Sequence, residues 1–296
     1  MIRLLTCLLA TLAAAFPVAA TPVVPANPAT LRTVLDHASG GDTIRLAPGS
    51  YDAVALRDRR WSPAVTIDAT GAQLRSVRLG GVSGLTWRGG RFDGGDTERS
   101  GVAVQNSDHV TIDGAEFRHY LRVGIGLGSS SDIRLTGNVF AAMGSDGIDV
   151  AMSRRVVIDR NRCVDTKPTD GAHPDCVQLW SRPTEAPTAD VMITNNEATG
   201  DTQGFTMFNH IRDGVDDGGF DRITIENNHA RVSSYQAIAV YSCRDCVVRH
   251  NRVETLPNPL YPKVRAWVKV TGGSNVLNCD NLAESFPADP GRDKCR

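Results

Sequence analysis

The chain has 296 residues, with 32 Lys and Arg side chains against 33 Asp and Glu, so its formal net charge is −1. A charge this close to zero excludes the basic field of a nucleic-acid-binding protein. No apolar run reaches the ~20 residues that a membrane-spanning helix needs, and the length allows one or two domains.

The first twenty residues are typical of a secretory signal peptide. Arg3 supplies a positive start, residues 4–16 an apolar core, and Val18-Ala19-Ala20 a small-residue cleavage site. We therefore predict a secreted or periplasmic protein whose residues 21–296 form the mature chain. We expect that chain to be a monomer.

The sequence NPATLRTVLDHASGGDTIRLAPGSYD, at residues 27–52, predicts a short helix and then a first strand. Leu31, Val34 and Leu35 lie on one face of the helix, and a pair of glycines ends it. The strand is predicted at Thr43–Leu46, as the first of a long series of short β-like segments.

A repeat of about 22 to 33 residues runs through the middle of the chain. Each repeat holds a short apolar alternation and then a second β-like run, with no helical pattern between them. Such a repeat predicts a solenoid of stacked parallel strands, which forms one elongated domain. The alternations are GVAV at 101, GIGL at 124, GIDV at 147, CVQL at 176, GFTM at 204, AIAV at 237 and WVKV at 267.

An asparagine recurs at the sixth place of the second run in five successive repeats. Asparagine tolerates left-handed dihedral angles, and its amide can bond to the asparagine of the coil above and below. We therefore expect a ladder in one stacked turn, formed by Asn138, Asn161, Asn196, Asn228 and Asn251.

The predicted fold class is all-β: a single-stranded, right-handed parallel β-helix with three sides. The N-terminal helix is expected to cap it, because a solenoid exposes its core at the first coil. The segment GGDTIRLAPGSYD at residues 40–52 resembles the start of the pectate-lyase-like right-handed parallel β-helix superfamily, and this resemblance covers essentially the whole mature chain. The superfamily includes alginate and chondroitin lyases, mannuronan epimerases and polygalacturonases, so the resemblance implies the fold and leaves the reaction open.

Six cysteines follow the signal segment, an even number that favours disulfides in an exported chain. Proximity in the sequence favours the pairs Cys163–Cys176, Cys243–Cys246 and Cys279–Cys295, although six cysteines allow 15 pairings. The segment Cys243-Arg-Asp-Cys246 also has the spacing of a redox or zinc motif. No second cysteine pair or βαβ pattern accompanies it.

Alternation along the first strands predicts which residues face outward. The apolar pairs, such as Ile148 and Val150, point inward, so the residues between and beside them point outward. The central outward column has small residues at both ends and polar ones in the middle, which predicts an open groove with one functional zone. Its members are Ala103, Gly126, Asp149, Gln178, Thr206, Ala239 and Lys269.

Asp146, Asp175, Gln203 and Gln236 precede four successive alternations. Stacked coils lie ~4.8 Å apart, so these side chains should form a ladder in register. Asp146, Asp149 and Asp175 then lie close together, and each raises the pKa of the others unless a cation lies among them. They predict either a Ca²⁺ site with these three aspartates as ligands or carboxyls that share a proton. The alternative is that they only cap turns.

His173 lies at the same edge, and the sequence EFRHYLRVG brings His119, Tyr120 and Arg122 into the turn before the coil at 124. A uronate substrate needs its carboxylate neutralised by arginine or a metal, and it needs a base for the proton next to that carboxylate. Tyr120, Arg122 and His173 are therefore predicted catalytic residues, alongside Asp146 and Asp175. His119 is predicted to contact the substrate. Packing within the loop is the alternative for His119 and Tyr120.

Three aromatic residues, Trp180, Phe208 and Tyr241, follow the strands of three successive coils. Such rings can stack on sugars or pack beneath the long loops that follow. We expect sugar contacts from Trp180 and Tyr241, together with Gln178 and Gln203, and loop packing from Phe208.

Within the superfamily, polygalacturonases carry Asn-Thr-Asp, Asp-Asp, Gly-His-Gly and Arg-Ile-Lys on consecutive coils. The segment GSDGID at residues 144–149 resembles the first motif, and Asp175-Cys176-Val177 resembles the end of the second. Gln203-Gly204 and Ala237-Ile238-Ala239 stand where the other two are expected, which puts hydrolysis in doubt. Mannuronan epimerases carry Asp-Pro-His-Asp, and Ala172-His173-Pro174-Asp175 has these residue types in a different order.

Together, the residues and the resemblance predict an enzyme that acts on an acidic, uronate-containing polysaccharide, and the first choice is a lyase that works by β-elimination. A polygalacturonase-like glycoside hydrolase and a C5-epimerase are alternatives. A non-catalytic polysaccharide-binding or envelope protein is the alternative from another class.

Overall fold

The computed structural model describes residues 23–287, except residues 170, 182–185, 210, 213–214 and 217. Three parallel sheets recur in one order along the chain, because each coil passes through sheet 1, sheet 2 and sheet 3 before the next coil begins. This confirms the predicted three-sided parallel β-helix. The predicted signal segment and Cys295 lie outside the described residues.

Most strands are three to seven residues long, and the neighbours within sheets 1 to 3 are parallel. Sheet 1 contains Val23–Ala26, Thr43–Leu46, Arg60–Asp68, Ser83–Arg88, Asp108–Asp113, Ser131–Thr136, Arg154–Asp159, Thr188–Thr194, Phe220–Glu226, Cys243–Arg244, Val247–Arg249 and Leu277–Cys279. Sheet 2 contains Gly49–Tyr51, Ala72–Leu74, Arg91–Asp93, Glu116–Arg118, Val139–Ala141, Arg162–Val164, Glu197–Gly200, His229–Val232 and Arg252–Thr255. Sheet 3 contains Val54–Arg57, Val77–Gly80, Ser100–Gln105, Val123–Gly128, Asp146–Ala151, Asp175–Trp180, Gln203–Phe208, Gln236–Tyr241 and Trp267–Thr271. Ile211–Arg212 and Val215–Asp216 form a small antiparallel pair.

The second β-like run of each repeat bends between sheet 1 and sheet 2 instead of forming one strand. The residue before the ladder asparagine has a left-handed backbone: φ is 62° at Gly137, 54° at Arg160 and 55° at Asn195. One residue at positive φ redirects the chain sharply. The second β-like run of the repeat that begins at 101 is VTIDGAEF, at residues 110–117. It is split into the strands Asp108–Asp113 and Glu116–Arg118.

The asparagine ladder is confirmed at this bend. Nδ2 of Asn161 donates to Oδ1 of Asn196, and Nδ2 of Asn196 to Oδ1 of Asn228, both at 3.0 Å. Each Oδ1 also accepts the backbone N–H of the preceding ladder residue at 2.9 Å. The ladder asparagines therefore serve as hydrogen-bonding groups, and the left-handed residue is the one before them. The ladder runs through Asn138, Asn161, Asn196, Asn228 and Asn251 and continues to Asn281, which the repeat did not predict.

The corner between sheets 2 and 3 is filled first by aromatic rings and then by a disulfide. Phe92, Phe117 and Phe140 stack with ring centroids 4.7 and 5.1 Å apart. Cys163 follows Phe140 in register, and it is bonded to Cys176, the second residue of its sheet 3 strand. A covalent link therefore replaces the next ring of the stack.

The cysteine pairing agrees with the prediction as far as the described residues extend. Cys163–Cys176 and Cys243–Cys246 are disulfides. Cys279 is also disulfide-bonded, and its predicted partner lies outside the described residues. Cys243–Cys246 is therefore a disulfide in this structure, as the neighbour pairing predicted.

The predicted helix and the predicted strand Thr43–Leu46 are both present, although the helix ends at His37, before the glycine pair, and one strand is added. Helix α1 spans Leu31–His37, and its Leu31 and Leu35 are buried in the core. The strand Val23–Ala26 comes before the helix and pairs with Thr43–Leu46, so the strand predicted as the first is the second. Among the described residues, no helix is long and apolar enough to cross a membrane.

Replacing one rung of the ladder should destabilise the whole protein. In Asn196→Ala, the buried backbone N–H of Asn161 and the carbonyl of Ile158 lose their side-chain partners. We expect the free energy of unfolding, measured by urea denaturation, to fall by about 3 kcal/mol. The control Gln73→Ala removes an exposed amide and should cost no more than about 0.5 kcal/mol. Equal costs for the two variants would contradict a structural role for the ladder.

Candidate active site

In two neighbouring strands of sheet 3, the first and fourth side chains lie on the same outer face. In Asp146–Ala151, Gly147 lies at the corner, where an added Cβ would lie 2.9 Å from Sγ of Cys163. The next residue, Ile148, is also fully buried in the core. Two consecutive inward positions interrupt the strand alternation, so Asp146 and Asp149 lie on the same outer face.

The following strand repeats this arrangement and extends it. Nε2 of Gln178 donates to Oδ2 of Asp175 at 3.2 Å, so the first and fourth residues meet on the outer face. Asp149 is beside Gln178 in register, and Asp175 is beside Gln203. The predicted ladder on one wall is therefore confirmed.

Asp146, Asp149 and Asp175, the acid cluster, are buried although they lie on the outer wall. Their exposed fractions are 5%, 8% and 1%. Oδ1 of Asp146 accepts the backbone N–H of Asp175 at 2.8 Å, and Oδ1 of Asp175 accepts the Thr206 hydroxyl at 2.6 Å. The cluster is thus held together by direct contacts between neighbouring coils.

Burial changes the proton affinity of two of these carboxyls by different amounts. Burial, together with the nearby carboxyls of the cluster, raises the pKa of Asp146 to about 8. Burial raises the pKa of Asp149 to about 6, while a hydrogen bond from Trp180 and the positive charge of Arg122 oppose the rise. At neutral pH, Asp146 therefore holds a proton and Asp149 is mostly ionised.

His173 and the third carboxyl of the cluster share one proton. Nδ1 of His173 lies 3.5 Å from Oδ2 of Asp175, and this contact raises the pKa of His173 to about 9. Burial raises the pKa of Asp175, whereas His173 and Thr206 lower it. We place the proton on His173, because the imidazolium is solvent-exposed and the carboxylate faces donors from Thr206, Gln178 and His173. His173 is therefore a cation at neutral pH.

Arg122 is brought to the cluster, as predicted. The central carbon of its guanidinium lies 5.9 Å from the centre of the Trp180 ring, and its charge acts on Asp149. Two cations, Arg122 and His173, thus lie beside the acid cluster.

A cleft of about 260 Å³ opens beside the cluster toward the C-terminal coils. We call it the glutamine cleft, because glutamines from three successive coils line it. Its lining residues are His173, Gln178, Leu179, Trp180, Ser181, Gln203, Phe208 and Gln236. The predicted substrate contacts Gln178, Trp180 and Gln203 are therefore brought together, and Gln236 joins them through the same register.

The aromatic residues are distributed differently from the prediction. Phe208 lines the glutamine cleft, and its predicted packing beneath the following loop stays a prediction, because much of that loop lies outside the described residues. Tyr241, predicted to contact sugar, packs against Phe208 with ring centroids 4.8 Å apart. On its other side, Nζ of Lys269 lies 5.2 Å from the Tyr241 ring centre.

Tyr120 and His119 are not brought to the acid cluster, which corrects two predictions. Tyr120 is fully buried, and its hydroxyl donates to the carbonyl of Arg75 at 2.7 Å. Burial raises the pKa of its phenol further above the ordinary value, so it is no base. Nδ1 of His119 lies 3.1 Å from Oδ1 of Asp93. His119 has a left-handed backbone with φ 55°, which redirects the turn so that only Arg122 faces the cluster.

Protein donors already occupy several oxygens of the acid cluster, where Ca²⁺ was predicted. In the described part of the chain, no three or more His, Cys, Asp or Glu side chains are arranged to hold a metal ion. Oδ1 of Asp146 already accepts a backbone N–H, and both oxygens of Asp175 face protein donors. Since Ca²⁺ takes about six to eight oxygen ligands, we derive no step through it, and the calcium site stays a prediction.

Comparisons with known proteins agree on the fold. The family model described as "Right handed beta helix region" matches residues 75–281, and no curated protein sequence matches the chain. The structure is similar to a family 28 exopolygalacturonase of Yersinia enterocolitica, with a TM-score of 0.59 and 14% identity over 90% of this chain and 67% of that one. It is also similar to the surface adhesin PfbA of Streptococcus pneumoniae, with a TM-score of 0.53 and 13% identity over 86% of this chain and 81% of that one. A third similar structure is a mannuronic acid specific family 6 polysaccharide lyase from human gut microbiota. Its TM-score is 0.51, with 11% identity over 88% of this chain and 87% of that one. At these identities the likeness shows the fold alone.

The raised pKa of Asp146 should appear in the pH dependence of stability. Between its ordinary value of 3.8 and about 8, the unfolded state releases a proton that the folded state keeps. Stability therefore falls as the pH rises through this range. In Asp146→Asn the amide oxygen can still accept the N–H of Asp175, but no charge develops. Urea denaturation at pH 5 and pH 9 should show the variant gaining about 2–4 kcal/mol relative to the wild type at the higher pH.

The control for this measurement is Asp52→Asn, which changes an exposed aspartate. Its stability should run parallel to that of the wild type between the two pH values. If Asp146→Asn also runs parallel to the wild type, the carboxyl does not hold a proton in the folded state.

Proposed function

Since the chain belongs to the right-handed β-helix family, we propose that it is a carbohydrate-active enzyme that hydrolyses a uronate-containing polysaccharide. One observation carries the proposal: Asp146 and Asp149 share a face, and their pKa values of about 8 and about 6 lie on opposite sides of neutrality. Two carboxyls with pKa values pushed apart are what acid and base roles in one site require.

In the proposed reaction, Asp146 donates its proton to the glycosidic oxygen as the bond from this oxygen to the anomeric carbon breaks. A water molecule attacks that carbon, and Asp149 accepts the proton that the water loses. Asp149 is hydrogen-bonded to Asp146 in this structure, closer than the ~6.5–9.5 Å usual for such a pair, so the substrate and the water must separate the two carboxyls. The products are two shorter chains, one with a new reducing end. Exchange with solvent then returns a proton to Asp146 and removes one from Asp149.

Arg122 and His173 supply the positive charge that an acidic substrate needs. Both are exposed and both are cations at neutral pH. Arg122 also lies over the Trp180 ring, so a uronate carboxylate and its sugar ring can be bound side by side.

Asp175 acts in the proposal as a positioning residue, although the sequence predicted a catalytic role. Its carboxyl is 1% exposed and is enclosed by Thr206, Gln178 and His173. Its backbone N–H holds the Asp146 carboxyl. Asp175 therefore orients both the proton donor and a cation without meeting the substrate.

A lyase is the second candidate, and Arg122 favours it because β-elimination needs a cation at the uronate carboxylate. Elimination also needs a base for the proton next to that carboxylate, as does C5-epimerisation. His173 keeps its own proton up to about pH 9, and Tyr120 is buried in the core. This leaves Asp149, which already serves as the base in the proposed hydrolysis. We therefore place hydrolysis first.

The setting of the protein is part of the same proposal. We propose that it is secreted or periplasmic, which the two disulfides support. We further propose that helix α1 caps the first coil, which the burial of Leu31 and Leu35 supports, and that the protein acts on its polysaccharide as a monomer.

The reaction can be identified on a panel of pectate, alginate, glucuronan and sphingan-type polymers. We expect new reducing ends without the ultraviolet absorbance of unsaturated uronates. Asp146→Asn and Asp149→Asn should each lower kcat by at least about 10²-fold, while the exposed control Asp96→Asn should not. The kcat/KM profile should be bell-shaped, with limbs near pH 6 and pH 8.

Other outcomes point to other functions. Ultraviolet-absorbing products would replace the hydrolase with a lyase. Polysaccharide binding without turnover, unaffected by Asp146→Asn, would indicate a binding protein.

A further inference from the structure

The glutamine cleft holds hydrogen-bond acceptors that nothing satisfies. The Oε1 atoms of Gln178, Gln203 and Gln236 are shielded from solvent, and among the described residues none of them accepts a hydrogen bond. Gln178 as a whole is only 5% exposed. A buried acceptor without a donor costs about 1–3 kcal/mol, so three beside one cleft indicate a ligand that brings donors.

The orientation of one amide follows from its surroundings. Nε2 of Gln178 donates to Oδ2 of Asp175 at 3.2 Å, and a carboxylate accepts but does not donate. The nitrogen must therefore face Asp175, which leaves the oxygen unpaired. Gln203 and Gln236 are only half-buried, so a rotation of each terminal amide can turn its oxygen toward the cleft.

Three of the donors that line the cleft are engaged within the protein. The imidazole of His173 faces the buried carboxylate of Asp175 at 3.5 Å. The Ser181 hydroxyl donates to the backbone carbonyl of Phe208 at 3.0 Å, and the Trp180 indole interacts with the Asp149 carboxyl, whose pKa it lowers. The cleft therefore offers three unpaired acceptors and aromatic surface, beside the amide N–H groups of Gln203 and Gln236.

The unpaired glutamine oxygens disfavour a uronate carboxylate placed directly against them, away from the cation of His173. A carboxylate has acceptors only, so it would lose its hydration and face oxygens of like partial charge. A neutral sugar brings several hydroxyl donors, and its apolar ring face suits Trp180 and Phe208. A volume of about 260 Å³ lies below the range of larger ligand pockets, which suits a single sugar unit.

We propose that Gln178, Gln203 and Gln236 form a subsite for an uncharged, hydroxyl-rich sugar unit, next to the position where Arg122 meets a uronate. The inference rests on the proposed function and deepens it. The substrate is then a mixed polysaccharide in which neutral and acidic units are neighbours, and a pure polyuronate is a poor ligand.

The test compares substitutions that keep the acceptor with substitutions that remove it. Gln203→Glu and Gln236→Glu keep a side-chain oxygen at the same length, whereas Gln203→Met and Gln236→Met remove it. Binding is measured by calorimetry in the Asp146→Asn background, so that turnover does not consume the ligand. The probes are an oligosaccharide of a sphingan-type polymer, which has neutral and acidic units, and an oligogalacturonate of equal length.

We expect the mixed oligosaccharide to bind more tightly than the oligogalacturonate. Each Met variant should weaken binding of the mixed oligosaccharide about 10-fold, as the loss of one hydrogen bond predicts, while the Glu variants stay within about threefold of the parent. Neither Met variant should change oligogalacturonate binding. The matched control Gln105→Met alters an exposed glutamine of sheet 3 on an earlier coil and should change neither affinity.

Three results would overturn the subsite. They are tighter binding of the oligogalacturonate, Glu variants that bind worse than the Met variants, and no binding of either probe. Failure of the proposed function is distinguishable, because the binding pattern would then persist while the wild type, with Asp146 intact, releases no reducing ends from the same oligosaccharide.

Discussion

The structure depends on the register between successive coils, and the asparagine ladder holds that register. From Asn161 onward, each ladder Oδ1 accepts two hydrogen bonds from the coil before it, one from a side chain and one from the backbone. A slip of one residue would break both bonds and turn each strand's side chains to the opposite face. Asp146 and Asp175 are 29 residues apart in the sequence, and they touch because this register places their strands side by side.

The acid cluster lies where the filling of the core changes. Before it, the corner holds a phenylalanine stack, and the sheet 3 residues beside two of its rings are glycines, because a Cβ would collide with Phe117 at Gly101 and with Phe140 at Gly124. At the cluster, Cys163 and Cys176 replace the ring and the glycine with a disulfide. Cys176 directly follows Asp175, whose backbone N–H donates to the Asp146 carboxyl. The disulfide therefore fixes the strand that positions Asp146. Burying three carboxyls costs stability, and this rigid corner keeps them together.

The sequence predicts those parts of the molecule that follow a strict period. The inward pairs, the ladder and the register of Asp146 with Asp175 follow from spacing alone, because stacked parallel strands turn sequence distance into position. The turns are different, since one residue at positive φ redirects the chain. His119 does so, and Tyr120 consequently points into the core although its neighbours in the sequence suggested a catalytic edge. Asn281 escaped prediction because the last coil lacks the regular second run.

The charges along the outer wall of sheet 3 agree with the proposal that one wall binds both acidic and neutral units. Arg122 and His173 place positive charge at the acid cluster, and Nζ of Lys269 lies between the rings of Tyr241 and Trp267, at 5.2 and 5.4 Å from their centres. The glutamine cleft lies between these two cationic regions and carries no unpaired charge of its own. Because coils repeat every ~4.8 Å, a sugar chain running along the wall meets positive charge, then acceptors, then positive charge again. Such a wall matches a ligand whose carboxylates are spaced by uncharged units, since a carboxylate on every unit would place one against the unpaired glutamine oxygens.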